Sequence, residues 1–339
     1  MDQDQSTVCP DTDIQRRYWM RYVTGWVAVL AIFLVDVAWL HVGSYSVRSD
    51  RLSGFAKVVG IFIGVAVVLK VVAKIPRYRK LTEQLRYPEV SELFAWLAML
   101  SCFTWVGSLL SYLCVTTNAP LIDSSLVRFD SALGFDWPSV YAWVHSRPVV
   151  HRVLAIAYAS GLWQLIAIPV FLALARRREA LSEFAMLFIS MTVLTLLIST
   201  PFPAASAFVH FNVTDPNTAS TVSDFALLRS GTLRTIDLAA AQGLVSMPSL
   251  HTALGVLFAY SLRHVPVISV IACLLNMTMI ASTPTQGGHY LVDVLSGLLL
   301  AFAVIYASKL LRRWIDPVFL ARRRSRRVRA STLETLQKN

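Results

Sequence analysis

Two stretches of the chain hold the residue types best suited to chemistry. In Ser246-Met-Pro-Ser-Leu-His251 a histidine stands where a polar loop meets an apolar run. Pro248 suits the first turn of a helix, and Ser246 or Ser249 would cap its free amides. Such a helix start is a positive dipole end that favours an anion such as phosphate, within reach of His251. The second stretch, Ser282-Thr-Pro-Thr-Gln-Gly-Gly-His-Tyr-Leu-Val-Asp293, places His289 and Asp293 four residues apart, on one face if helical. A carboxylate there holds the imidazole Nδ1 proton and leaves Nε2 as nucleophile or base. Gly287 and Gly288, just before, allow close backbone approach. A third piece, Leu-Arg-Ser-Gly-Thr-Leu-Arg at 228–234, offers Arg229 and Arg234, whose guanidinium groups pair well with phosphate oxygens. Taken alone, the two arginines read equally well as solvated loop charges. His41, His145, His151, His210 and His264 read as interfacial residues.

These groups must be positioned by elements suited to a bilayer. Of the 339 residues, 55% are hydrophobic and 15% charged, and the mean hydropathy is +0.57, too apolar for an ordinary soluble domain. A spanning helix needs about 20 mostly apolar residues. Eight runs qualify, near 22–42, 56–74, 92–114, 152–175, 184–201, 249–263, 265–283 and 289–310. The expected fold is therefore all-α, a polytopic membrane helix bundle of about eight transmembrane helices. The net charge of +11 is not a nucleic-acid signature, because the basic residues cluster between apolar runs. Arg16, Arg17 and Arg21, the group from Lys74 to Arg86, Arg176 to Arg178, Arg263, and the tail from Arg312 to Arg329 all fall on one side. Both termini are then cytoplasmic, and the long loops 115–151 and 202–248 face outward. In the first of these loops Leu126, Phe129, Leu133, Trp137, Tyr141 and Trp143 alternate with polar residues, as in a helix lying in the interface or forming one wall of a lipid entrance. The four cysteines suggest no disulfide framework.

At Pro248-Ser249-Leu250-His251 and His289-xxx-Asp293 the chain resembles the second and third motifs of the type 2 phosphatidic acid phosphatase superfamily. Ser282, Thr283, His289, Tyr290 and Asp293 further resemble the branch containing inositol phosphorylceramide synthases, as do the segments at 133–138 and 228–234. The likeness covers roughly residues 115–310. It implies that His289 is a nucleophile forming a phosphohistidine, that Asp293 orients it, and that His251 protonates the leaving alkoxide and then activates the acceptor. Ser249, Ser282, Thr283, Arg229 and Arg234 become the candidate phosphate contacts. Two features depart from the phosphatase pattern: Thr283 stands where it has arginine, and its first motif, KxxxxxxRP, is missing.

The expected organisation is a leader at 1–21, N-terminal membrane helices at 22–114, a catalytic membrane domain at 115–310 and a basic tail at 311–339. The expected activity is that of a lipid phosphatase or phosphotransferase without cofactor or metal, working on a phospholipid, sphingolipid or isoprenoid phosphate. The expected site is the periplasmic face of a bacterial inner membrane. A zinc-dependent hydrolase using the two histidines and Asp293, and a transporter or binder that turns nothing over, are the competing classes.

Overall fold

The computed structural model describes residues 10–315 apart from 216, 217 and 219, with the side chains of 10–14, 51, 314 and 315 left out. The basic cluster at 322–329 lies outside the described residues. Among the described residues seven helices are long and apolar enough to cross a membrane: α1 (Pro10–Gly43), α2 (Ser49–Val72), α4 (Tyr87–Val115), α7 (Pro148–Leu174), α8 (Arg178–Ser199), α12 (Pro266–Gln286) and α13 (Leu291–Ile315). The short helices are α3 (Arg79–Gln84), α5 (Asp123–Ala132), α6 (Trp137–His145), α9 (Ala207–His210), α10 (Ser223–Arg229) and α11 (Leu250–Ser261). Two-residue strands β1 (Ser46–Val47) and β2 (Thr235–Ile236) pair in parallel and tie the α1–α2 turn to the second long loop.

The bundle is built around α8, 67% of whose most apolar stretch is buried, against 6% for α2, which packs on α4 and otherwise faces outward. Around α8 stand α1, α4, α7, α11 and α13, joined through Met99, Phe103, Phe184, Met191 and Phe258 in one core. Uniformly apolar helices such as α2 are stable only where hydrocarbon replaces water, so this exposure pattern is that of a multi-pass membrane protein.

The sixth apolar run forms a helix of only 12 residues. At 1.5 Å per residue it reaches roughly 18 Å, well short of a hydrocarbon core of roughly 30 Å. Its other end is fixed at the basic side by Arg263, so its N-terminus lies inside the bundle. It meets α13 at Gly297, where a side chain would collide with the Ser249 carbonyl, six residues below the start of α13. The chain reaches that depth through the loop at 241–249.

The aromatic loop at 115–151 forms two helices with two faces. Phe129, Leu133 and Trp143 are exposed, as an interfacial anchor requires, while Leu126 and Trp137 are each 3% exposed and pack inward. Asp136 caps α6 by accepting from the Ser139 amide at 3.1 Å.

Candidate active site

Both histidines lie at helix beginnings. The chain turns from α12 to α13 through Gly287-Gly288-His289-Tyr290, so His289 stands outside the helix, and α13 starts only at Leu291. Asp293 is the third residue of α13, and its Oδ2 reaches back to the Tyr290 amide at 3.0 Å, the acidic half of a capping box. The same oxygen accepts the Ser246 hydroxyl at 2.7 Å. His289 Nδ1 stands 3.4 Å from it, in contact but out of line for a hydrogen bond, while Asp293 Oδ1 is buried with no partner. The pair is thus adjacent, and Oδ1 retains acceptor capacity for an Nδ1 proton after a small ring rotation.

His251 is in the first turn of α11. Pro248 precedes this helix instead of opening it, and Ser249 is the cap, its Oγ accepting weakly from the Thr252 amide at 3.4 Å. The His251 ring stacks on Tyr158 of α7 with centroids 4.3 Å apart, and its Nδ1 is 3.3 Å from the Tyr158 hydroxyl. That hydroxyl also touches the turn before His289: a Cβ on Gly287 would lie 2.7 Å from it and 2.9 Å from His289 Cδ2. Tyr158 therefore stands between the two histidines, holding one and bordering the other.

Two buried acids from α5 hold the His289 turn. Asp130 accepts the Leu291 and Val292 amides at 2.9 and 3.0 Å, satisfying the first amides of α13. Burial pushes its carboxyl above the usual range against the pull of those two bonds. Asp123 accepts the Tyr290 hydroxyl at 2.8 Å and the Ala205 amide, and burial with this carboxylate beside it pushes the Tyr290 phenol up. Ser206, in the left-handed region at φ 98°, donates to the Gly288 carbonyl at 2.9 Å, and the Ala207 amide adds a second bond at 2.8 Å. Gly288, at φ 65°, has no room for a side chain against Ser206 Oγ and Phe208.

The two helix starts differ in charge balance. The α13 start is closed by Asp130 and Asp293. At the α11 start the Leu250 and His251 amides have no hydrogen-bond partner among the described residues. An anion beside the histidines would meet α11.

A model of the PAP2 superfamily matches residues 124–307. The chain belongs to the PAP2 superfamily. No curated protein and no solved structure matches it. Membership places the protein among phosphatase-type enzymes. The matched segment of this PAP2 superfamily chain begins at α5 and includes both histidines, Asp293, Tyr158, Ser206 and Asp130, while α1, α2 and α4 lie before it.

The remaining sequence candidates are placed differently. Ser282 and Thr283 are fully buried, and their hydroxyls bond back to the Met279 and Ile280 carbonyls at 2.6 and 2.8 Å. Pro284 cannot donate to the Ile280 carbonyl, and Thr283 fills that vacancy. The Thr283 carbonyl in turn accepts the Gly287 amide at 2.9 Å. These residues shape the end of α12, and neither hydroxyl is turned to the histidines. Arg229 donates to the Ala119 carbonyl, and Arg234 to the Gly43 carbonyl while lying over the Tyr45 ring; neither touches His251, His289 or Asp293. Among the described residues no three of His, Cys, Asp and Glu converge as metal ligands. Asp123, Asp130, Tyr158 and Ser206 escape a motif search. Asp123 and Asp130 do carry a signal, being seven apart and hence on one helical face of an otherwise aromatic loop.

Proposed function

We propose that this PAP2 superfamily protein is a lipid phosphatase or phosphotransferase whose catalytic unit spans 115–310. His289 Nε2 attacks the phosphorus, the bond to the lipid oxygen breaks, and His251 gives the leaving alkoxide its proton. Deprotonated by His251, water or an alcohol then attacks the phosphohistidine, the P–N bond breaks, and His289 returns to its starting state. Asp293 steadies the imidazolium character of His289, and the open α11 amides take the equatorial phosphate oxygens. The observation that carries this reading is the meeting of two histidines from separate helix starts around Tyr158, next to the unpaired Leu250 and His251 amides of α11.

The branch of inositol phosphorylceramide synthases supports an alcohol acceptor, since Thr283 takes the place of the phosphatase arginine there too. The positive-inside pattern supports a site at the periplasmic face of a bacterial inner membrane with cytoplasmic termini. The test is turnover of labelled phospholipid, sphingolipid and isoprenoid phosphates in detergent with chelator, for wild type, His289→Ala and His251→Ala. Chelator-resistant turnover lost in both variants is expected, with labelled free phosphate marking a hydrolase and labelled acceptor a transferase. Full activity in His289→Ala would end this assignment.

A further inference from the structure

At the opposite end of the same helices the bundle opens into a cavity of about 600 Å³. Arg263 follows the C-terminus of α11, Arg312 lies in the last turn of α13, and Arg176, Arg177 and Arg178 form the turn into α8. All five arginines line the cavity, against Glu179 and Glu183. Arg263 and Arg312 share the one carboxylate of Glu183, at 3.2 and 2.7 Å, and that glutamate is only 7% exposed. Arg312 also reaches Glu179 at 3.3 Å, and its Nε is buried with no partner. Outside the cavity, Arg176 and Arg178 pair with Glu89 and Glu92. Neighbouring Arg21 donates only to neutral oxygens, the Ser182 hydroxyl and the Glu179 carbonyl. Arg177 is exposed and has no side-chain partner among the described residues. Among the described residues six arginines thus answer to four glutamates. The cavity also receives the start of α8, whose first-turn amides have no side-chain cap.

A surplus of guanidinium groups converging on a concave space at a helix start complements one ligand chemistry, a phosphate-bearing anion. We infer that this cavity is a second anion site, separate from the histidines, that takes a phosphate group from a lipid headgroup of the adjacent leaflet or from solution. Its binding is independent of turnover, so the inference stands or falls apart from the catalytic proposal.

The test uses full-length protein carrying His289→Ala, so that no probe is consumed, in nanodiscs of phosphatidylcholine. One arm replaces part of that lipid with phosphatidic acid, and the other titrates inorganic phosphate; the unfolding temperature is the readout. A concentration-dependent rise is expected, with apparent affinity at least about fivefold weaker in Arg177→Gln, which breaks no ion pair, and in Arg263→Gln. Arg79→Gln, a basic surface residue paired with Glu83 away from the cavity, serves as the control and is expected to leave the affinity unchanged. A rise with phosphatidic acid alone assigns the site to a headgroup, and a rise with inorganic phosphate as well assigns it to the free anion too. No rise in either arm, an unchanged affinity in Arg177→Gln, or an equal loss in Arg79→Gln overturns the inference.

Discussion

Replacing Gly287 by alanine tests how tightly the two histidines are linked. The added methyl would stand 2.7 Å from the Tyr158 hydroxyl, 2.9 Å from His289 Cδ2 and 3.0 Å from the Thr283 carbonyl. Comfortable separations between carbon atoms are about 3.5–4.0 Å, so the neighbours must yield by on the order of half an ångström or more. The Thr283 carbonyl is anchored by the Gly287 amide, which leaves Tyr158 and His289 to move. Misplacing a reacting group by about 1 Å costs about 10²-fold in rate, so a displacement of this size predicts a loss of about 10- to 10²-fold in kcat. That is about 1.4–2.7 kcal/mol in the barrier. The packing cost to the fold is about 1–3 kcal/mol. The decisive assay is a double-mutant cycle on lipid phosphate turnover with Tyr158→Phe, which removes the atom under most pressure. Gly287→Ala/Tyr158→Phe should then be more active than Gly287→Ala alone, although Tyr158→Phe by itself loses a contact to His251. Full activity in Gly287→Ala, or losses that simply multiply in the double variant, would refute the idea that Tyr158 links the histidines.

Asp130→Ala leaves two amides at the start of α13 without their acceptor and should cost about 2–4 kcal/mol in denaturant unfolding, with activity falling alongside; unchanged stability would remove Asp130 from its supporting role. Because burial raises the Asp130 carboxyl, its contribution to stability is complete below the ordinary value of about 3.9 and is lost as pH rises through the raised value. Unfolding midpoints across that window should therefore fall less steeply in Asp130→Asn than in wild type. Tyr290→Phe deletes a hydroxyl bond to a buried carboxylate and should cost about 1.5–3 kcal/mol in stability, checked by thermal unfolding. Arg234→Gln should leave KM for lipid phosphates within about threefold of wild type, since the guanidinium is held by the Gly43 carbonyl; a tenfold rise would return it to the phosphate site.

The apolar runs read directly as helices because hydrocarbon imposes one requirement, internal satisfaction of every backbone polar group, and the seven long runs meet it. That His251, His289 and Asp293 come together is equally legible, since local spacing and the polar-to-apolar border carry that signal. The sequence was silent on partners supplied from far along the chain. Tyr158 lies 93 residues before His251, and Asp123 is 167 before Tyr290, so only packing reveals either pairing. The helical spacing of His289 and Asp293 predicts that the two side chains meet, and they do so for a partly different reason. His289 precedes the helix, and the carboxylate reaches it while capping the turn between them. Ser282 and Thr283 carried polar types at a suggestive distance from His289, but a proline next door claims the threonine hydroxyl for the backbone.

The short α11 and the acids of α5 are two halves of one electrostatic arrangement. Two helix starts converge near the histidines, and both present positive dipole ends. Were both open, phosphate could settle on either, whereas the proposed transfer needs it at one. Asp130 and Asp293 fill the α13 start with carboxylates, so the helix that follows His289 repels an incoming anion at its first amides. The α11 start remains open, and its 12-residue length sets it below the α13 start, on the far side of Tyr158 from the His289 turn. A phosphate drawn to α11 would then have His251 in the same turn and His289 across Tyr158 from it, the side-by-side placement on which the proposed transfer between a leaving alkoxide and a histidine depends.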